Sequence, residues 1–111
     1  MAVGDRTEKR LDGPEAMGTS NATFGTVPAS RNWVLKQVVF TNTGGAEALL
    51  YLAIGTAATA SNRVISGLPI AAFDTIVWDT ALVLTAGETL QGYADRTGVN
   101  ITVMGWEKET A

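Results

Sequence analysis

From Gly18 onward, short runs rich in Val, Ile, Leu, Thr and aromatic residues alternate with clusters of turn formers. No run keeps apolar residues at i, i+3, i+4 and i+7 long enough for a stable helix, so the pattern is that of strands. It predicts strands near Thr19–Val27, Trp33–Thr43, Ala48–Gly55, Arg63–Leu68, Thr75–Leu84, Thr89–Ala94 and Asn100–Glu107. The connections Pro28–Asn32, Gly44–Glu47, Thr56–Asn62, Pro69–Asp74, Ala86–Glu88 and Asp95–Val99 gather Gly, Pro, Asn, Asp and Ser, which suit turns. The Ala-rich piece Ala57–Ser61 lies between Gly55 and Asn62 and reads as a loop. About seven to eight short antiparallel strands at this spacing predict an all-β fold, a β-sandwich or jelly-roll-like domain.

Several strands carry apolar residues on both faces. Trp33, Leu35 and Val39 stand against Val34, Val38 and Phe40; Leu50, Leu52 and Ile54 against Leu49, Tyr51 and Ala53; Ile101, Val103 and Gly105 against Thr102, Met104 and Trp106. A 111-residue chain makes one domain. A domain of that size buries only about 65% of its unfolded surface, so it cannot cover both faces of its sheets by itself. One sheet face is therefore expected to pack on a neighbour, which would make the chain a homo-oligomer; the alternative is that these are simply central strands of a tight sandwich.

Charge divides the chain. Of its eight basic and eleven acidic residues, seven fall within the first fifteen positions: Asp5, Arg6, Glu8, Lys9, Arg10, Asp12 and Glu15. With Gly13-Pro14 as punctuation, this gives a polar amino-terminal arm over 1–17 and a sparsely charged β-sandwich domain over 18–111. The arm cannot build a core alone: it is either a frayed terminus or a segment ordered by a neighbouring subunit or a larger assembly.

Composition then removes whole classes of function. The chain has no cysteine and no histidine, so thiol chemistry, the commonest general base and the commonest metal ligand are all missing. Serines 20, 30, 61 and 66 have no histidine to activate them, and neither Gly-x-Ser-x-Gly, Gly-x-Gly-x-x-Gly nor a Walker pattern occurs. Asp74, Asp79 and Asp95 flank strands and read as turn residues, and Gly44-Gly45 and Gly87 as turns needing positive φ. No calcium-loop run of aspartates is present. A non-enzymatic protein without cofactor or metal is expected. A net charge of −3 offers no basic field for phosphates, so nucleic acid is a poor partner. No apolar run approaches the ~20 residues of a membrane span, and the start lacks the apolar core of a signal peptide. The expectation is a soluble protein made in the cytoplasm of its host, without membrane contact. Trp33, Trp78, Trp106, Tyr51 and Tyr93 read either as packing anchors or as a platform for stacking sugar rings.

Thr26-Val-Pro28, Val38-Val-Phe-Thr-Asn-Thr43, Ser61-Asn-Arg63, Asp79-Thr-Ala-Leu-Val-Leu84 and Ala86-Gly-Glu-Thr-Leu-Gln-Gly-Tyr-Ala94 together resemble small virion proteins of tailed bacteriophages. The likeness covers residues 24 to 107 and leaves out 1 to 23. It implies a structural subunit of the virion, often a homotrimer, most simply a capsid decoration protein that cements the assembled head by contacting the major capsid protein or another virion protein. Arg6, Lys9, Arg10 and Leu11 would then form the partner-binding arm. Trp33, Phe40, Tyr51, Trp78 and Trp106 would pack the core or the subunit interface. Deleting residues 1–15 is expected to abolish attachment and leave the body folded. The alternative is a tail or tail-fibre subunit whose aromatics contact a host surface glycan.

Overall fold

The computed structural model describes residues 6–55 and 62–109. It is an antiparallel β-sandwich of eight strands: β1 (Arg6–Ala16), β2 (Ala22–Thr26), β3 (Arg31–Asn42), β4 (Ala48–Ile54), β5 (Arg63–Ile70), β6 (Thr75–Leu84), β7 (Thr89–Ala94) and β8 (Val99–Glu109). Two four-stranded sheets run in the orders β1-β8-β3-β6 and β2-β7-β4-β5. Apart from the β4–β5 hairpin, every connection passes from one sheet to the other, which is the double Greek-key order of a jelly roll. The loop expected over Thr56–Asn62, with Ala57–Ser61 inside it, lies almost wholly outside the described residues.

Alternation of side chains places the core. Along β8, Val99, Ile101, Val103, Gly105 and Glu107 point inward and are buried, while the residues between them are partly exposed. From the first sheet Leu35, Val38, Phe40 and Ile101 meet Phe24, Leu50, Leu52, Ile70 and Leu90 of the second, all essentially buried. Such interdigitation of two apolar faces drives sandwich folding.

In β3 the face pattern differs from simple alternation. Its inward residues are Trp33 and Leu35, then Val38, Phe40 and Asn42, so the parity changes between Leu35 and Gln37. The pairing with both β6 and β8 shifts register at that point. Against β8 the extra residue is Lys36, accommodated as a β-bulge, while on the other side Thr80 and Ala81 of β6 stand against it, and β3 turns its later side chains over. The expected grouping of Trp33 and Leu35 with Val39 is thus corrected: Val39 lies outward.

The polar segment 1–17 supplies β1, which pairs along β8 from Arg6↔Lys108 to Ala16↔Asn100. Its sequence shows no apolar alternation because an edge strand needs backbone pairing more than side-chain burial, and charge protects it from further pairing. Leu11 packs against the core, and the Met17 N–H donates to the Val99 carbonyl at 2.8 Å as the chain leaves for β2. β1 ends at Ala16, and just past the 17/18 boundary that charge drew the Gly18 carbonyl accepts from the Ala94 N–H of the second sheet. Two register shifts interrupt β1, between Arg10 and Asp12 and between Asp12 and Glu15, and the Gly13–Pro14 peptide within it is cis.

A buried asparagine fixes one corner. Asn42 Nδ2 donates to the carbonyls of Ala46, Ile70 and Ala71, and its Oδ1 accepts from the Gly44 N–H at 2.9 Å. The ends of β3 and β5 are thereby tied to the turn before β4. Asp74 acts as the turn reading expects, accepting from the N–H of Thr75, whereas Asp95 reaches away from its own turn to accept from the Leu49 N–H at the start of β4. Gly87 has the expected positive φ, whereas Gly44 and Gly45 do not, because the Asn42 side chain shapes that turn.

Candidate binding groove on the outer face of the first sheet

The two outer faces of the sandwich have different chemistry. On the second sheet, Tyr51 of β4 and Tyr93 of β7 stand opposite each other and stack at 4.7 Å between ring centroids, 17° from parallel. The Arg63 guanidinium lies 4.7 Å over the Tyr51 ring, and its Nη2 donates to the Tyr93 hydroxyl at 3.1 Å. The two rings are largely satisfied by each other and by Arg63.

The first sheet instead opens a groove of about 680 Å³ that crosses all four of its strands. One register row forms its axis, because Arg10 pairs with Met104, Met104 with Gln37, and Gln37 with Asp79. The row runs from a cation on β1, over a thioether and an amide, to an anion on β6. Trp106, Lys9, Lys36, Thr80 and Gly105 complete the lining. The β3 bulge leaves both Lys36 and Gln37 exposed at this point. Lys36 Nζ sits 5.4 Å from the centroid of the Trp106 ring, a cation–π contact. Gln37 Nε2 donates to Asp79 Oδ1 at 3.1 Å. Around this row Val34, Val39, Val77 and Val83 give the face a partly exposed apolar character; Val77 and Val83 are about half exposed.

Beneath one end of the groove lies a buried ionic cluster. Glu107, on the inward face of β8, accepts from Trp33 Nε1 at 3.0 Å, from Arg31 Nη1, and from Lys9 Nζ at 3.4 Å. Burial alone would raise its carboxyl, but the donors Trp33, Arg31 and Lys9 together outweigh it and hold Glu107 below the ordinary carboxylate value. Lys9 therefore has a structural partner. Arg10 and Lys36 pair with no carboxylate among the described residues.

An acidic pair occupies the seam between the sheets. Asp12 and Glu15 face inward opposite Val103 and Ile101, with Gly25 of β2 against Asp12. A hydrogen bond with Asp12, followed by burial and by Asp12's negative charge, pushes Glu15 up to about 7. Asp12 Oδ2 and Glu15 Oε1 are buried without a partner.

The expected site residues are divided by this arrangement. Trp33 and Phe40 are core, and Trp78 faces inward beside Val38 and packs on it. Tyr51 and Tyr93 sit on the outer face opposite to that of Trp106 while Trp33 and Trp78 point inward, so these five aromatics do not form one platform. Lys9, Arg10 and Trp106 meet in the groove, Leu11 packs on the core, and the Arg6 side chain lies outside the described residues. Asp79 is a mid-strand groove residue rather than a turn residue. Sequence reasoning did not find Lys36, Gln37 or Arg63, whose roles depend on register and on a bulge that no local signal marks. The chain matches no known protein family and no curated protein.

Proposed function

We propose that this protein is a non-enzymatic structural protein of a bacteriophage virion, a decoration protein that cements the assembled head. The observation that carries this reading is the place of the charged amino-terminal segment. It is built into the sandwich as an exposed edge strand, and its Arg10 opens onto one groove with Lys36 and Trp106. A rigid jelly roll with a partly apolar outer face and a cationic groove suits attachment to a larger protein surface better than turnover of a substrate.

Work of this kind is mechanical. A protein that binds only the assembled, expanded shell stabilises that state by mass action, as any ligand of one state does. Joining several copies, in this proposal three, adds avidity because the second and third contacts become intramolecular. The major capsid protein is the proposed partner. The glycan-binding alternative loses its motive, since two of the five rings are turned inward and the others carry Lys36 or stack under Arg63.

The test is immunogold imaging of gradient-purified particles from the phage that encodes the chain. Even labelling over the head is the expected result. Label confined to the tail, or absence of the protein from particles, would overturn the decoration reading. Deleting residues 1–15 is a poor follow-up because it strips β1 from β8 and removes Lys9 from Glu107. Paired substitution of Arg10 and Lys36 leaves the sheet intact and tests attachment directly.

A further inference from the structure

We infer that the groove on the first sheet is a docking site for a short extended acidic segment of a partner protein, anchored by an apolar side chain on Met104. Its charges give the first reason. In a chain of net charge −3, Arg10 and Lys36 flank the groove without a carboxylate partner among the described residues, while Lys9 is engaged by Glu107 and Asp79 by Gln37. Asp79 keeps its negative charge in that hydrogen bond, so the lining sets three cations, Lys9, Arg10 and Lys36, against one anion, and its net charge is positive.

Its dimensions give the second. Crossing four strands spaced about 4.8 Å apart spans roughly 14 Å, the length of about four residues of extended chain. Arg10 and Lys36 lie two strand spacings apart, roughly 10 Å, within side-chain reach of same-face carboxylates two or four residues apart in such a segment. Between them, Met104 offers an adaptable apolar floor to one side chain of the segment. The groove is concave, so a second copy presenting the same concave face would leave a void between the two molecules.

The aromatic geometry decides against a saccharide. Lys36 already occupies a position over the Trp106 ring, where a sugar would have to stack. A carboxylate has the opposite preference, because it can meet Lys36 and Arg10 without displacing either from the groove. Under the decoration reading, the segment belongs to the capsid subunit. The binding claim itself rests on the groove alone.

The experiment uses the full chain, labelled with ¹⁵N, and a capped synthetic pentapeptide, Glu-Ser-Leu-Ser-Glu, whose two glutamates and central leucine share one face of an extended chain. Expected are amide and indole shifts centred on Lys36, Met104 and Trp106, with affinity that falls as salt is added. The Arg10→Ala/Lys36→Ala double variant should weaken binding by roughly tenfold while its unperturbed spectrum shows the fold retained. The same peptide with glutamine for glutamate should bind at least as weakly as that variant does. No shifts at millimolar peptide, shifts spread over other faces, or equal binding by the glutamine peptide would each overturn the inference. A sialylated oligosaccharide or a single-stranded oligonucleotide that shifts the same residues more strongly would overturn the peptide assignment. Because only purified components are used, a negative here is distinguishable from absence of the protein on heads.

Discussion

The Asp12–Glu15 pair makes the stability of this protein depend on pH in an unusual direction. Glu15 carries a carboxyl raised to about 7 by its hydrogen bond with Asp12, by burial and by Asp12's charge. The folded chain therefore holds this proton more tightly than the unfolded chain, where the ordinary value is 4.5. The stability it contributes is complete below about pH 4.5 and is lost as pH rises through about 7. The full difference corresponds to about 3 kcal/mol. Partial exposure of the pair to solvent reduces this to about 1–2 kcal/mol. Glu15→Gln keeps a donor for Asp12 and removes the titration. Urea unfolding followed by tryptophan fluorescence should show wild type losing about 1–2 kcal/mol between about pH 5 and about pH 8. The variant should be flatter over that range, near wild type at the acid end, and more stable at the alkaline end, with Tm higher by about 5–10 °C. Wild-type stability that is flat or rises across this interval, or a variant less stable than wild type at about pH 8, would refute the reasoning.

Three further outcomes follow from the same structure. Glu107 has its carboxyl held below the ordinary value by Trp33, Arg31 and Lys9 against burial, so its contribution is present above the unfolded pKa and disappears on acidification. Glu107→Gln should remove that acid limb and cost about 1–3 kcal/mol at neutral pH, read from urea midpoints. Asn42→Ala leaves the carbonyls of Ala46, Ile70 and Ala71 without this donor and should cost about 2–3 kcal/mol, with faster hydrogen exchange at the β3 and β5 ends. Gly105→Ala would drive a Cβ into the Val34 carbonyl opposite the bulge, so a soluble variant should unfold at least 2 kcal/mol more easily than wild type.

Much of the architecture was written in local pattern. Seven of the eight strands follow from apolar and β-branched runs broken by turn residues, because a two-layer sandwich rewards any sequence that alternates and then stops. Asp74 was legible as a turn residue for an equally local reason, since its side chain bonds the N–H of the next residue, while the bond from Leu49 to Asp95 joins distant parts of the chain and was not. β1 was hidden because an edge strand is held by main-chain bonds to β8, which leave no trace in side-chain hydrophobicity.

The sequence by itself determined the class: an all-β sandwich without histidine or cysteine, with an acidic balance and a charged beginning. Only tertiary structure decided which face each of those residues would serve. One bulge at Lys36 reversed the parity of β3, took Val39 out of the core and set Lys36 beside Gln37 on the groove. Long-range pairing then brought Arg10, Met104, Gln37 and Asp79 into one row. Strand register is a cooperative property of the whole sheet, and a shift of one residue exchanges its inside for its outside.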